Sequence, residues 1–248
     1  MMRKAASLFP AAAMLLAALV AWQLVVVTFG IQPFILPSPL NIAGFMGSQA
    51  SALLNDLVIT IGETLAGFAI GSAIGIALAI AFVLAPPLQR AIMPLAVMIN
   101  MVPTVAFVPL ALIWFGVGFS SKIAIAALTV SFPVLINTLA GLNSPLPAHI
   151  DLYRSFGAKS LSVLVRLRLP ASLPSVATGL KVGFARSTVV VIVTEMLGAY
   201  SGVGQTIYRA TSQIDSITVW SAVVLSSVAS LILYGILAGL LRRFIWWD

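Results

Sequence analysis

The segment LNSPLPAHIDLYRSFGAKSLSVLVRLRLPASLPS, residues 142–175, is a long polar stretch inside an otherwise apolar chain. Apolar runs long enough to cross a membrane flank it on both sides. Only 8% of the chain is charged, yet this segment contains six ionisable side chains: His149, Asp151, Arg154, Lys159, Arg166 and Arg168. A membrane protein that concentrates its charge in one internal loop is expected to use that loop to meet a soluble partner.

The composition sets the class of protein. Of the 248 residues, 61% are hydrophobic, and the mean hydropathy is +1.14. A soluble domain is typically about 45–50% apolar and about 25% charged, so the excess indicates an all-α polytopic membrane protein. A transmembrane helix needs about 20 apolar residues, so roughly six helices and short loops account for the whole length. The chain is therefore predicted to be one membrane domain, residues 1–248, without a soluble catalytic domain.

Six apolar runs are predicted to be transmembrane helices, with the polar loop at residues 143–175 between the fourth and the fifth. The first run resembles a secretory signal peptide, but it is too long, and Trp22 and Gln23 stand where a small-residue cleavage site would be needed. We therefore expect it to be retained. The predicted transmembrane segments are residues 9–29, 57–84, 92–113, 123–142, 176–197 and 217–241.

The distribution of Lys and Arg predicts the orientation. With the amino terminus inside and six membrane crossings, only Lys122 and Arg209 fall on the outer side. Both termini and the polar loop are then predicted to be cytoplasmic. The cytoplasmic basic residues are Arg3, Lys4, Arg90, Arg154, Lys159, Arg166, Arg168, Arg242 and Arg243.

Several functions are disfavoured by residue content. The net charge of +7 does not indicate nucleic-acid binding, because the basic residues are spread between apolar segments. The chain has no cysteine, and His149 is its only histidine, so neither a thiolate site nor a histidine metal site is expected. The phosphate-loop pattern G-x-x-x-x-G-K-[ST] is also missing, so the chain is not expected to hydrolyse ATP.

Small and polar residues within the transmembrane segments give further predictions. Gly67, Gly71 and Gly75 recur every four residues, which predicts close helix packing along one face. Glu63 precedes them and is expected near the headgroups, as a boundary or packing residue.

Candidate pathway residues come from the third and fifth segments. Asn100, Pro103 and Thr104 lie near mid-depth, and a proline there frees a backbone carbonyl that a cavity could satisfy; a kinked packing helix is the alternative. In the fifth segment, Arg186 and Glu195 are costly to bury and are nine residues apart on roughly opposite faces. Each therefore needs a partner on another helix, a lipid headgroup or a water-filled cavity.

Within the polar loop, apolar residues are spaced for a short helix that is interrupted at Gly157. Glycine permits a sharp change of direction there, and Pro170 and Pro174 follow on the return to the membrane. Such a helix could insert into a groove on a soluble partner, with apolar anchors and basic residues at the rim. The apolar residues are Ile150, Leu152, Tyr153, Phe156, Leu161 and Leu164.

This loop resembles the cytoplasmic signature of the permeases of ATP-binding-cassette importers. That signature is Glu-Ala-Ala, three residues, Gly, nine residues, then Ile-x-Leu-Pro. Here Asp151-Leu152-Tyr153, Gly157 and Leu167-Arg168-Leu169-Pro170 keep the spacing, although Asp151 replaces the glutamate and Leu152 and Tyr153 replace the alanines.

Four other stretches, in order along the chain, are similar to the nitrate/sulfonate/taurine-type permeases of this class. They are Leu36-Pro37-Ser38-Pro39, Trp114-Phe115-Gly116-Val117-Gly118 with Ser121-Lys122-Ile123, Phe132-Pro133-Val134 with Asn137-Thr138, and Glu195-Met196-Leu197-Gly198. The resemblance thus covers nearly the whole chain.

The resemblance implies a type I importer permease with a coupling helix between transmembrane helices 4 and 5. In the plasma (inner) membrane of a bacterium, it implies three kinds of partner: a second permease copy, two ATPase subunits that bind ATP and Mg, and a periplasmic or lipid-anchored substrate-binding protein. The chain itself would bind no cofactor and would not be an enzyme. The implied coupling residues are Ile150, Asp151, Leu152, Tyr153, Phe156, Gly157, Ala158, Leu169 and Pro170.

Alternatives remain open for the transported substrate and for the class of protein. The resemblance implies a small anion such as nitrate, a sulfonate or taurine, and Arg186 is consistent with one; the alternative is a vitamin-precursor heterocycle of the thiamine-pyrimidine or riboflavin type. A rhomboid-like intramembrane protease is disfavoured, because Gly198-Ala199-Tyr200-Ser201-Gly202 misses the Gly-x-Ser-Gly spacing and His149 is outside the apolar segments. A passive membrane scaffold is the remaining rival.

Overall fold

The computed structural model describes residues 2–245, and these contain helices and no β-strand. A 3₁₀ turn, Thr104–Phe107, and a π-helical turn, Leu164–Arg168, separate some of the α-helices. The α-helices are α1 Met2–Thr28, α2 Pro39–Ser48, α3 Ala50–Leu84, α4 Pro86–Met101, α5 Val108–Phe115, α6 Phe119–Leu142, α7 Pro147–Ser155, α8 Ser160–Val163, α9 Leu169–Gly198, α10 Val203–Ser212 and α11 Ser216–Phe244.

Four of these helical stretches are long and apolar enough to cross a membrane: α3, α6, the run Ser160–Gly198 that includes α9, and α11. The bent pair formed by α4 and the 3₁₀ turn with α5 gives a fifth if it counts as one crossing. Within α1, the stretch Ala13–Thr28 is a further apolar helical segment. The protein is therefore an all-α polytopic membrane protein, and the prediction of exactly six crossings stays a prediction.

The third predicted transmembrane segment is not one continuous helix. The chain bends by 93° between α4 and the 3₁₀ turn, where Val102 is extended, with ψ 129°, and Pro103 follows it. The ring of a proline disfavours the helical conformation in the residue before it. The interruption that Pro103 predicted is confirmed, and the prediction that residues 92–113 make one crossing of the membrane stays a prediction.

Other helix boundaries differ because the helices continue beyond the apolar core. The second membrane helix begins at Ala50 rather than at residue 57, and the fifth begins at Leu169 rather than at residue 176. Before α3, the short helix α2 begins at Pro39 and is capped by Ser38, whose hydroxyl oxygen accepts the Asn41 N–H at 3.3 Å. Proline is favoured at this first position because its missing N–H is not needed there.

The centre of the bundle is α6, which packs between α3 and α9. The predicted glycine face of α3 is confirmed: a Cβ added to Gly71 would stand 2.5 Å from the Ala127 carbonyl oxygen and 2.8 Å from Val130 Cβ. On the other side of α6, a Cβ added to Gly179 of α9 would stand 2.9 Å from Asn137 Cβ. The three backbones therefore approach each other as closely as the small residues allow.

Candidate functional site

The helix expected in the polar loop is present as α7, and it is exposed. Pro147 occupies its first turn, and none of its nine residues is buried. Leu152 is 55% exposed and the following Phe156 is 84% exposed, while Ile150 and Tyr153 are half-buried. Large apolar side chains displayed together on a short surface helix are typical of a binding surface.

Gly157 ends this helix in the left-handed conformation, with φ +77°. Its N–H donates to the Arg154 carbonyl at 2.9 Å, and the Ala158 N–H donates to the Tyr153 carbonyl at 3.1 Å, so the last carbonyls of α7 are satisfied. A Cβ at Gly157 would meet no atom within 4 Å. Glycine is therefore required by the backbone turn and not by a lack of space, and this turn directs the chain into α8.

The two ends of the loop are anchored in a common apolar cluster, which we call the inner cluster. It contains the buried residues Ala79 and Phe82 of α3, Leu135, Leu139 and Leu142 of α6, and Leu164 of the π-helical turn. The predicted coupling residue Leu169 packs against this cluster, and Pro170 is exposed in the first turn of α9. Between α7 and the α8 turn lies a hollow of about 430 Å³, lined in part by Tyr153, Phe156 and Arg166.

A second feature is a cavity of about 500 Å³ beside the bend between α4 and α5. The structure brings the predicted pathway residues Asn100 and Thr104 together in its wall, and Pro103 forms the bend between them. Phe107 and Phe132 contribute aromatic faces, and the lining includes no charged side chain. The wall is built from α3, α4, the 3₁₀ turn and α6. Such a lining offers hydrogen bonds and apolar contact, but no counter-charge for an ion.

Arg186 and Glu195 lie in different surroundings. Arg186 is exposed on α9 and does not line the cavity beside the bend. Glu195 is fully buried at the far end of α9. Their involvement in translocation stays a prediction.

Glu195 is the centre of a buried polar network at the end of the bundle opposite α7. The Thr60 hydroxyl donates to Glu195 Oε1 at 2.7 Å, and the Gly204 N–H donates to Oε2 at 2.7 Å. The Val203 N–H in turn donates to the Thr60 hydroxyl oxygen at 2.9 Å. These bonds join α3, α9 and the start of α10, so a side chain that looked like a pathway residue holds three helices together.

Two neighbouring charged residues extend this network. Asp56 accepts the Gly202 N–H at 3.2 Å and the Thr206 hydroxyl at 2.5 Å. Lys122 of α6 is only 2% exposed, and its ammonium group donates to the carbonyl oxygens of Val117 and Gly118 at 2.5 and 2.9 Å. A charge as deeply buried as that of Lys122 is tolerated when hydrogen bonds replace water.

Glu63 is also buried, 2% exposed, which agrees with the expectation of a packing residue, while its depth relative to the headgroups stays a prediction. Sequence analysis missed the network because its members are far apart in the chain. One signal was available: Asp56, Thr60 and Glu63 are spaced at i, i+4 and i+7, which puts three polar groups on one face of an apolar helix.

The fold and these sites together define a class of protein. A bundle of apolar helices has a cavity beside a broken helix and, at one end, an exposed short helix that is suited to a soluble partner. This is the architecture of a membrane permease. The chain belongs to the family of binding-protein-dependent transport system inner membrane components, whose family model matches residues 71–246.

Individual relatives agree with this assignment. The chain is 36% identical over 229 residues to the riboflavin transport system permease protein RibX of Chloroflexus aurantiacus, covering 92% of this chain and 85% of that one. It is 34% identical over 206 residues to the putative aliphatic sulfonates transport permease protein SsuC of Escherichia coli, covering 82% and 78%.

The fold is also that of a solved transporter. A chain from the inward-facing MetNI methionine ABC transporter superposes with a TM-score of 0.69 at 16% identity, covering 79% of this chain and 97% of that one. The protein is therefore a permease of the ATP-binding-cassette importer family with the type I importer permease fold. Such a family implies ATPase and substrate-binding partners.

Proposed function

We propose that two copies of this chain form the translocation pathway of an importer in the bacterial plasma membrane, with both termini and α7 on the cytoplasmic side. Each α7 docks into one of two ATPase subunits, which bind ATP and Mg; this chain binds neither. A periplasmic or lipid-anchored binding protein delivers the solute to the other face. Closure of the ATPases on ATP moves α7, and the helices change from inward-open to outward-open.

The observation that carries this proposal is the exposed amphipathic helix α7. Leu152 of α7 and Phe156, which directly follows the helix, face solvent in the single chain, and basic residues such as Arg154 stand beside them. Burying a large apolar side chain contributes about 1.5–3 kcal/mol. Two such anchors in a matching groove are enough to make α7 a specific attachment point, since a few buried side chains dominate most interfaces.

The test is recruitment of the ATPase encoded with this permease. Reconstituted in nanodiscs, the native chain is expected to bind the purified ATPase and to change its rate of hydrolysis. Replacing both Leu152 and Phe156 by serine should abolish this binding without affecting insertion. A matched control replaces two exposed apolar residues elsewhere, Leu231 and Ile236 of α11, by alanine and should bind normally. Unchanged recruitment by the double serine variant would contradict the docking role.

For the solute, we propose an uncharged heterocycle. The cavity beside the bend has aromatic faces and the polar groups of Asn100 and Thr104, but no charged lining residue. An anion in such a site would lose its hydration without gaining a counter-charge. The relative RibX, whose name states riboflavin transport, supports this assignment.

A small anion is the second candidate, because Arg186 is exposed on α9 and could face the pathway of an assembled pair. The relative SsuC, named for aliphatic sulfonates, supports it. Uptake of riboflavin and of taurine into proteoliposomes with the cognate binding protein separates the two. We expect riboflavin uptake that Arg186→Gln leaves unchanged. Taurine uptake that Arg186→Gln abolishes would instead establish the anion.

A further inference from the structure

We propose that the hydrogen bond between Arg168 and Asn143 is a clasp that fixes the position of α7, so that Arg168 and Asn143 are positioning residues for coupling. This inference rests on the proposed docking of an ATPase at α7. Arg168 Nη1 donates to Asn143 Oδ1 at 3.1 Å, across 25 residues of chain. Asn143 is the first residue of the loop and caps the end of α6, and Arg168 is the last residue of the π-helical turn on the far side.

The clasp matters because α7 has little else to hold it. It buries no residue of its own, and among the described elements it packs mainly on the four-residue helix α8. The hollow of about 430 Å³ lies behind it instead of packed side chains. A helix mounted in this way takes its position from the two ends of its loop. Of the side-chain hydrogen bonds in the described chain, the Arg168–Asn143 bond is the one that joins those ends.

The wide turn at residues 164–168 sets the face on which Arg168 stands. The Leu169 N–H donates to the Leu164 carbonyl, five residues back, where an α-helix would bond four back. Each residue of an α-helix turns the chain by about 100°. One residue fewer in this turn would therefore move the guanidinium well away from Asn143. Such π-turns are frequent at functional sites, and this one directs the Arg168 side chain toward Asn143.

A continuous packing route leads from the clasp to the cavity. Leu142 and Leu164, beside the two clasp ends, are buried together in the inner cluster with Leu135. Ile92 and Ala96 of α4 pack against the same cluster and also line the cavity beside the bend. A displacement of α7 therefore reaches the cavity wall only if the two ends of the loop move together with α7. Without the clasp, the inner cluster alone holds the two loop ends together, and part of the displacement is lost.

The experiment measures solute transported per ATP hydrolysed, in proteoliposomes containing the full transporter and its binding protein. Asn143→Ala and Arg168→Gln should each lower this ratio by about threefold to tenfold, the size expected for one ordinary hydrogen bond in a protein. The double variant should be no worse than either single one, because both remove the same bond. Asn143→Asp keeps an acceptor oxygen and should retain the native ratio.

Arg90→Gln is the control. Arg90 is another exposed arginine that is predicted to be cytoplasmic, but it lies on α4, outside the polar loop, and it makes no side-chain hydrogen bond within the described chain. It should couple normally. Unchanged ratios in Asn143→Ala and Arg168→Gln, or losses that multiply in the double variant, would overturn the clasp. Failure of the native chain to recruit any ATPase would overturn the proposed function itself, and the clasp with it; normal recruitment by the variants, with a lower ratio, supports both.

Discussion

Replacing Gly157 by valine should uncouple the transporter without unfolding it. Gly157 has φ +77°, and a Cβ there would have open space around it. The whole penalty is therefore backbone strain, about 2 kcal/mol for a β-branched residue in the left-handed region. Because 1.4 kcal/mol is a factor of ten, the bend should be disfavoured roughly 30-fold. The chain around α7 can escape this strain by rearranging, since α7 buries nothing.

A series of substitutions at Gly157 tests quantitatively whether backbone strain at this position lowers coupling. Asparagine tolerates the left-handed conformation better than other non-glycine residues, so we expect substrate-stimulated ATP hydrolysis to fall in the order Gly157→Asn, Gly157→Ala, Gly157→Val. Gly30 provides the matched control: it has φ +59° and open space around its Cβ position, but it lies between α1 and α2. Gly30→Val should carry similar strain and keep stimulated hydrolysis.

The measurement is stimulated ATP hydrolysis in proteoliposomes, with membrane insertion and ATPase recruitment recorded for every variant. Two results would refute the reasoning. Full stimulation in Gly157→Val would show that the bend at α7 is not needed for coupling. An equal loss in Gly30→Val would show that the effect reflects general backbone strain and not the position of α7.

Further predictions concern the bundle. Gly71→Ala should destabilise it by about 1–2 kcal/mol, because the methyl group meets backbone of α6; Gly235→Ala, in open space on α11, should be neutral or slightly stabilising. Equal unfolding midpoints in an SDS titration would contradict this. Glu195→Ala should cost about 1–3 kcal/mol in the same titration, since it leaves the Gly204 N–H without its acceptor and leaves the buried Thr60 hydroxyl with only the Asp56 carbonyl. Glu195→Gln keeps an acceptor oxygen and should cost less; a larger loss than for alanine would count against the network.

Part of the structure of the polar loop was predictable from neighbouring residues, and part was not. Apolar spacing and Gly157 were enough to predict a short helix that ends at a bend, and α7 and its left-handed glycine confirm both. The clasp between Asn143 and Arg168 was not predicted, because it depends on a π-helical turn. An irregular turn of that kind has no clear periodic signal in the sequence.

The bend at Pro103 was predictable in part: its existence follows from the sequence, but its angle does not. A proline in an apolar segment predicts an interruption, and the extended Val102 before it follows from the same steric rule. The angle of 93° does not follow. It depends on how α4 and α5 pack against α3 and α6, and this packing also creates the cavity that Asn100 and Thr104 line.

By itself, the sequence determined the class of protein, the approximate places of the membrane helices and the exposed helix of the polar loop. Each of these depends on free energies summed over neighbouring residues, such as transfer of about 20 apolar residues into lipid. Only the tertiary structure decided that Thr60 and Glu195, 135 residues apart, share a hydrogen bond. It also decided that Glu63 is buried and that the cavity wall is uncharged. Such pairings depend on which faces of the helices meet, and these faces are determined by the packing of whole helices and not by neighbouring residues.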